Sequence, residues 1–245
     1  MLRLNKNRIT VYNEKPFRHW QIDNFFEAED AEMLYAKFPE ADRRWYKYSN
    51  HFEKKTATDL IEIMPASIAI TLLLLNSNPW IKELETITGI EGLIPDPALR
   101  GGGLHQIYPG GKLEIHADFN YHKHLKLDRR LNLLVYLNKD WQESYGGHLE
   151  LWDTEMKQCE KRILPILNRC VIFETTDFSY HGHPEPLTCP DGMTRKSLAL
   201  YYYTNGRPDH EKTPPHSTKF QKRPNEETTP EIEALRLKRN EGRLA

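Results

Sequence analysis

The sequence predicts a mainly β domain, a double-sheet jelly roll with flanking α-helices, and three observations carry that reading. From Gly101 to Thr204, short alternating segments separated by glycine, asparagine or proline recur without a long helix. Eight strands are expected there, near 103–109, 112–118, 131–138, 147–152, 159–165, 169–174, 178–183 and 194–204, and that spacing suits a jelly roll. A chain of 245 residues is long enough for one large core of this kind.

The flanking elements follow in order. Phe17 to Asp23 mixes aromatic and polar residues as an early strand does. An acidic opening from Glu27 to Asp30 favours a helix N-terminus, and that helix should run to Lys37, end at Pro39 and bury Leu34 and Phe38. The aromatic and basic stretch from Trp45 to Phe52 has no readable role. Pro65 suits the first turn of a helix that aligns Ile68, Leu72 and Leu75. A further helix is capped by Asn78, has Pro79 at its first position and stops at Gly89, so these helices should buttress one face of a sheet. After Asn205 come five prolines from Pro208 to Pro230 and little to bury, which reads as an extended, surface-bound or partly disordered tail with a short charged helix from Glu231 to Arg239. The expected organisation is one domain over 1–205, with its jelly-roll core at 101–205, and a polar, proline-rich tail at 206–245.

With Lys+Arg 34 against Asp+Glu 35, the formal charge is -1, so no global field points to nucleic acid or to an anionic membrane surface. The opening residues carry no apolar run after their basic residues, which argues against a secretory signal, and the most apolar segment, Ile68 to Leu75, is too short to span a bilayer. Three cysteines, Cys159, Cys170 and Cys189, show no C-x-x-C spacing, so a reducing cytoplasm is the expected setting.

Within the core, the stretch from Gln106 to Asn120 places His116 and Asp118 two residues apart on an expected strand, so both point to one face. One more histidine from a neighbouring strand would complete a two-histidine, one-carboxylate metal set with open positions. Taken alone, such a pair is also what a solvated strand face carries. Candidates for the third ligand are His181 and His183, which share a strand face in Phe178-Ser179-Tyr180-His181-Gly182-His183-Pro184. Downstream, Arg195 and Ser197 share a face while Lys196 points away, and the apolar run that follows marks a buried strand. The loop after the metal strand holds His122, Lys123, His124, Lys126 and Arg129, either a basic rim for an acidic peptide, a phosphate or a sugar acid, or an ordinary solvated loop.

The order His-x-Asp, distal His, then Arg-x-Ser resembles the 2-oxoglutarate and iron(II)-dependent oxygenases, in their prolyl-4-hydroxylase-like branch. Tyr136-Leu137-Asn138-Lys139-Asp140-Trp141, followed by Gly146-Gly147-His148-Leu149-Glu150-Leu151-Trp152, is similar to the core of the hypoxia-inducible-factor prolyl hydroxylases. Those enzymes also place a Tyr-Pro-Gly, like Tyr108-Pro109-Gly110, before the metal strand. The resemblance covers roughly residues 101 to 205 and leaves the first hundred residues and the tail unidentified.

The resemblance implies a double-stranded β-helix, a cupin-like jelly roll, in which His116, Asp118 and His181 bind iron and are catalytic. His181 is preferred to His183 because it sits in the family-like Ser-aromatic-His-Gly pattern, supported by its neighbours as a ligand must be. Arg195 would pair with the distal carboxylate of 2-oxoglutarate, a role its bidentate fork suits and Lys196 does not. Tyr136 would bind the same carboxylate, Tyr108 would lie near the iron-bound end, and Ser197 shares the cosubstrate face, as Asn132 and Leu134 share that of Tyr136. The cofactors implied are Fe(II), 2-oxoglutarate and O2, with ascorbate as a candidate addition. The reaction implied is oxidative decarboxylation of 2-oxoglutarate to succinate and CO2 coupled to hydroxylation, since Asp118 keeps the carboxylate that related halogenases replace. Two substrates stay open, a peptidyl proline or a small molecule or carbohydrate, and so does a non-catalytic jelly-roll binding protein. Glu185 to Gly192 lengthens the usual gap before Arg195, a surface-loop change the strands tolerate.

Overall fold

The computed structural model describes residues 3–242. Strands β1 (Ile9–Asn13) and β2 (His19–Asp23) pair antiparallel, and helix α1 (Ala28–Lys37) follows with Glu29 and Asp30 in its first turn. It buries Leu34, and Phe38 is buried at its end. The stretch from Trp45 to Phe52 becomes β3 (Tyr46–Ser49), which pairs with β4 (Glu53–Thr58). Helix α2 (Ala66–Leu75) buries Ile68, Leu72 and Leu75. Helix α3 (Asn78–Thr88) is entered through Ser77 rather than Asn78, carries Pro79 in its first turn and ends at Gly89, whose φ of 71° is the left-handed conformation that glycine adopts without strain.

The core strands are β5 (Ile94–Pro95), β6 (Gly103–Ile107), β7 (Lys112–Ala117), β8 (Tyr121–His122), β9 (Leu127–Tyr136), β10 (Leu149–Trp152), β11 (Cys159–Ile163), β12 (Arg169–Glu174), β13 (His181–His183) and β14 (Arg195–Thr204). All eight expected strands are present; β9 begins at Leu127, earlier than the pattern suggested, and β5 and β8 are additions. Hydrogen bonds run along one continuous path, β1-β2-β12-β9-β14-β6-β4-β7-β13-β10-β11, with β3, β5 and β8 attached to β4, β14 and β9. The path curls on itself, so β7 and β13 face β9 and β14 across a shared cavity.

Alternation along the two longest strands divides packing from chemistry. Leu131, Leu133 and Val135 of β9, with Leu198, Leu200 and Tyr202 of β14, pack against α2 and α3 in the main hydrophobic core. Each fully buried leucine there stabilises the fold by about 1.5–3 kcal/mol. The indole of Trp80 donates to the Tyr202 hydroxyl at 3.0 Å, and that hydroxyl donates to the Leu75 carbonyl at 2.8 Å, which ties both helices to β14. The opposite faces, carrying Asn132, Leu134, Arg195, Ser197 and Tyr201, line the cavity.

The segment after Asn205 is laid against the core. Strand β15 (Lys219–Phe220) pairs with β7, and helix α4 (Pro230–Asn240), capped by the Thr229 hydroxyl, follows it. Phe220 stacks on Phe52 with ring centroids 4.8 Å apart. Among the described residues, no helix is long and apolar enough to cross a membrane.

Candidate metal centre

Strand pairing sets the centre. β13 lies antiparallel to β7 with His181 opposite His116, and Asp118 follows immediately beyond the end of β7. Gly182 permits this approach, because a Cβ there would stand 2.7 Å from the Leu113 carbonyl oxygen and 2.9 Å from that of Glu114. His116 Nε2 is 3.5 Å from Asp118 Oδ1, and His181 Nε2 is 3.4 Å from Asp118 Oδ2. All three side chains are buried, and their ligand atoms lie within 4.8 Å of one another.

The tautomers suit a metal. Each imidazole donates its Nδ1–H to a backbone carbonyl two residues back, His116 to Glu114 and His181 to Ser179, both at 2.8 Å. That leaves both Nε2 lone pairs directed at the carboxylate. Burial, reinforced by neighbouring His116, pulls the His181 imidazole down to about 4, so it is neutral at physiological pH. Two imidazoles presenting Nε2 and a carboxylate fit Fe(II) and leave coordination positions open.

Asp118 is held from behind. Its Oδ2 accepts from Arg129 at 3.0 Å and from the Asn132 amide at 2.7 Å. Burial opposes its ionisation, but Arg129, His181 and His116 outweigh burial and keep the carboxyl well below its ordinary range. The Arg129 guanidinium also donates to Asn132 Oδ1 and lies over the rings of Tyr201 and Phe119, 3.5 and 4.4 Å from their centroids.

Arg195 occupies the other side of the cavity, whose volume is about 80 Å³. Its Nε donates to the Gly147 carbonyl at 2.7 Å and its Nη2 to the Tyr136 hydroxyl at 3.4 Å. Burial pushes the Tyr136 hydroxyl above its ordinary value against the pull of Arg195, so it remains protonated. Ser197 stands opposite both Tyr136 and His105 in the sheet register. His183 lines the same cavity, with neither ring nitrogen hydrogen-bonded among the described residues. Burial, followed by the Arg195 and Lys55 charges, holds it well below its ordinary value.

The structure therefore brings together His116, Asp118, His181, Arg195 and Ser197, with Tyr136 bonded to Arg195 and Asn132 and Leu134 in the wall as their strand face suggested. It does not bring Tyr108 there. Strand β6 ends at Ile107, so alternation no longer governs Tyr108, which is 39% exposed and bonds to Glu40 and Gln106. Gln106 faces away from the cavity, toward Ala41, Glu40 and Thr194. The basic loop also divides. Lys123, His124 and Lys126 are exposed, whereas His122 is buried near Asp96 and Arg129 supports the metal carboxylate. His105, Lys55 and Tyr201 are cavity residues that sequence reasoning did not assign; Tyr201 shares the alternation of Arg195 and Ser197, which was the available signal.

Residues 102–203 match the family model described as the 2OG-Fe(II) oxygenase superfamily. The prolyl 3-hydroxylase OGFOD1 of Mus musculus is 25% identical over 199 residues, 77% of this chain and 33% of that protein. The chain thus spans about a third of the length of this curated relative. A Pseudomonas putida prolyl-4-hydroxylase superposes with a TM-score of 0.53 at 17% identity, covering 77% of this chain and 93% of that one. A Trichoplax adhaerens prolyl hydroxylase, solved with a hypoxia-inducible-factor peptide fragment, gives 0.52 at 19% identity over 76% and 83%. These structural likenesses establish the fold.

Proposed function

We propose that this chain is an Fe(II)- and 2-oxoglutarate-dependent dioxygenase that hydroxylates an unactivated C–H bond and releases succinate and CO2, a reading supported by the match of residues 102–203 to the 2OG-Fe(II) oxygenase superfamily. The observation that carries the proposal is the joining, in one cavity, of the His116, Asp118 and His181 set with a buried arginine that has no carboxylate partner among the described residues. Bound together, Fe(II) and 2-oxoglutarate supply the oxidising chemistry with O2.

The protein's contribution is positional. His116 and His181 are locked in the ligating tautomer by their carbonyl bonds, and Arg129 and Asn132 fix the plane of Asp118. Arg195 receives the distal carboxylate of 2-oxoglutarate. Its Nε is already committed to Gly147, so the fork is oriented before the cosubstrate arrives. The Tyr136 hydroxyl supports that fork, and Ser197 lies beside it. Ile107, Leu113, Leu134 and Leu149 supply apolar wall that excludes water from the reacting centre. A peptidyl-proline substrate is supported by the prolyl hydroxylases among the similar proteins, and a small-molecule or carbohydrate substrate by the breadth of substrates that one fold can host.

Two measurements test this reading. Anaerobic addition of Fe(II) and 2-oxoglutarate should produce the visible metal-to-ligand charge-transfer band, and its absence at saturating iron would leave a non-catalytic binding protein. Succinate formation stimulated by substrate should disappear in His116→Ala and Asp118→Ala. Full turnover in either variant would sink the assignment.

A further inference from the structure

We propose that the substrate carries an anionic oxygen group, a carboxylate or a phosphate, and that this group is held by Arg129 in a second cavity beside the metal set, an inference that rests on the oxygenase reading above. This cavity has a volume of about 180 Å³ and shares His116 and Asp118 with the cosubstrate cavity. Arg195 lines only the first cavity, and Arg129 only the second. The two arginines therefore flank the metal site from different sides, and one carboxylate-sized anion on each accounts for both.

Three features of the second cavity select for an anion. Arg129 is 1% exposed and uses Nε and Nη2 on Asn132 and Asp118, yet its Nη1 has no hydrogen-bond partner among the described residues. A guanidinium cannot discharge by losing a proton, so that buried donor is left to an acceptor from water or from a ligand in the cavity that Arg129 lines. Lys55 and Arg239 line the same cavity and share one carboxylate, Glu53, at 3.3 and 2.6 Å. The wall thus presents three cations to two carboxylates, and one of those two, Asp118, is committed to the metal.

The aromatic walls add shape. Tyr201 and Phe119 lie against the Arg129 guanidinium, 3.5 and 4.4 Å from it at their ring centroids, and hold it in place beside the cavity. Tyr48, Lys55, Gly101 and Phe119 also line an adjoining cavity of about 470 Å³, where the exposed Arg100 has no ion-pair partner among the described residues. The remainder of an anionic substrate has room there.

The test uses the full chain with Zn(II) in place of Fe(II), titrated calorimetrically. 2-Oxoglutarate is added first, then phenyl phosphate, benzoate or neutral benzamide. At least one of the two anions should bind ten times more tightly than benzamide, and the preferred one distinguishes phosphate from carboxylate. Arg129→Gln should erase the preference, and Arg239→Gln, which leaves Asp118 untouched, should reduce it several-fold. Arg195→Gln should abolish binding of 2-oxoglutarate but keep the anion preference. Equal affinity for benzamide and both anions, or a preference that survives in Arg129→Gln and Arg239→Gln alike, overturns the proposal. Failure of the wild-type chain to bind 2-oxoglutarate would instead overturn the oxygenase reading, and a second anion titration with the cosubstrate left out keeps the two failures apart.

Discussion

Gly147→Ala tests whether Arg195 is positioned as the geometry requires, without touching its charge. Gly147 has a φ of +69°, and a Cβ there would stand 2.6 Å from Leu187 Cδ2, 3.0 Å from Arg195 Cδ and 3.3 Å from Arg195 Nε. Leu187 can turn its terminal methyl away, but the arginine stem must shift by several tenths of an ångström. The left-handed backbone costs about 1–2 kcal/mol for a non-glycine residue and the crowding about 1–3 kcal/mol, so an overall loss of roughly 2–5 kcal/mol of stability is expected. The functional effect is separate. Displacing the fork forfeits one charge-assisted hydrogen bond to the cosubstrate carboxylate, about 1.5–3 kcal/mol, or roughly a 10- to 150-fold loss of 2-oxoglutarate affinity. Titration of the charge-transfer band with 2-oxoglutarate reads that loss, while Co(II) affinity should change by less than about threefold because the metal residues are undisturbed. A folded Gly147→Ala protein that binds 2-oxoglutarate as wild type does would refute the role given to Arg195.

Three further outcomes are expected. His181→Ala should abolish stoichiometric Co(II) binding while His183→Ala retains it, since only His181 presents a free Nε2 within reach of His116 and Asp118; the reverse result would exchange their roles. The metal-free chain should lose stability as pH falls from about 6.5 to about 4. The unfolded chain protonates His181 near 6.5, whereas the folded one resists until about 4, so the unfolded state binds more protons in that window and this group alone contributes about 3 kcal/mol. Urea midpoints in chelator should therefore drop across that range, less steeply in His181→Phe, and a flat profile would refute the burial argument. Phe220→Ala removes a buried ring stacked on Phe52 and should lower stability by about 3–5 kcal/mol, read by the same denaturation; an unchanged midpoint would mean that the tail does not dock in solution.

The pairing of His116 with Asp118 and of Arg195 with Ser197 was legible because strand alternation is a local rule, whereas the choice of His181 and the role of Arg195 came from the family resemblance. His116 with Asp118, and Arg195 with Ser197, need only the chain's own period of two to share a face. Tyr108, whose place came from the resemblance alone, lies one residue beyond the end of β6, where the turn redirects the side chain. Arg129 was misread for a different reason. Among lysines and histidines after the metal strand it reads as one more cation of a basic rim or of a solvated loop, and only the early start of β9 turns it inward. Nothing in the local pattern announces that start, because Asp128 and Arg130 are as polar as a loop requires. The β3–β4 hairpin was equally opaque, since Lys47, Lys54 and Lys55 interrupt its apolar alternation.

The tail's role follows from the edge of β7. β4 pairs with β7 only at Lys112 and Leu113, and β15 takes the same strand at His116 and Ala117. The tail thus completes hydrogen bonding where β4 has left it, at the residue that carries a metal ligand. An open edge there would expose the His116 backbone to water and to stray strands. The attachment is reinforced on both sides. Asn120, two residues past Asp118, donates to Thr213 and to the Pro214 carbonyl and accepts from the His216 amide. Asn240 exchanges two hydrogen bonds with the backbone of Phe220, which brings Arg239 to Glu53. One polar segment therefore closes the metal strand and supplies a cation of the second cavity. Low hydrophobicity marks it as unable to form a core alone; sheet pairing, which composition does not report, makes it part of the site.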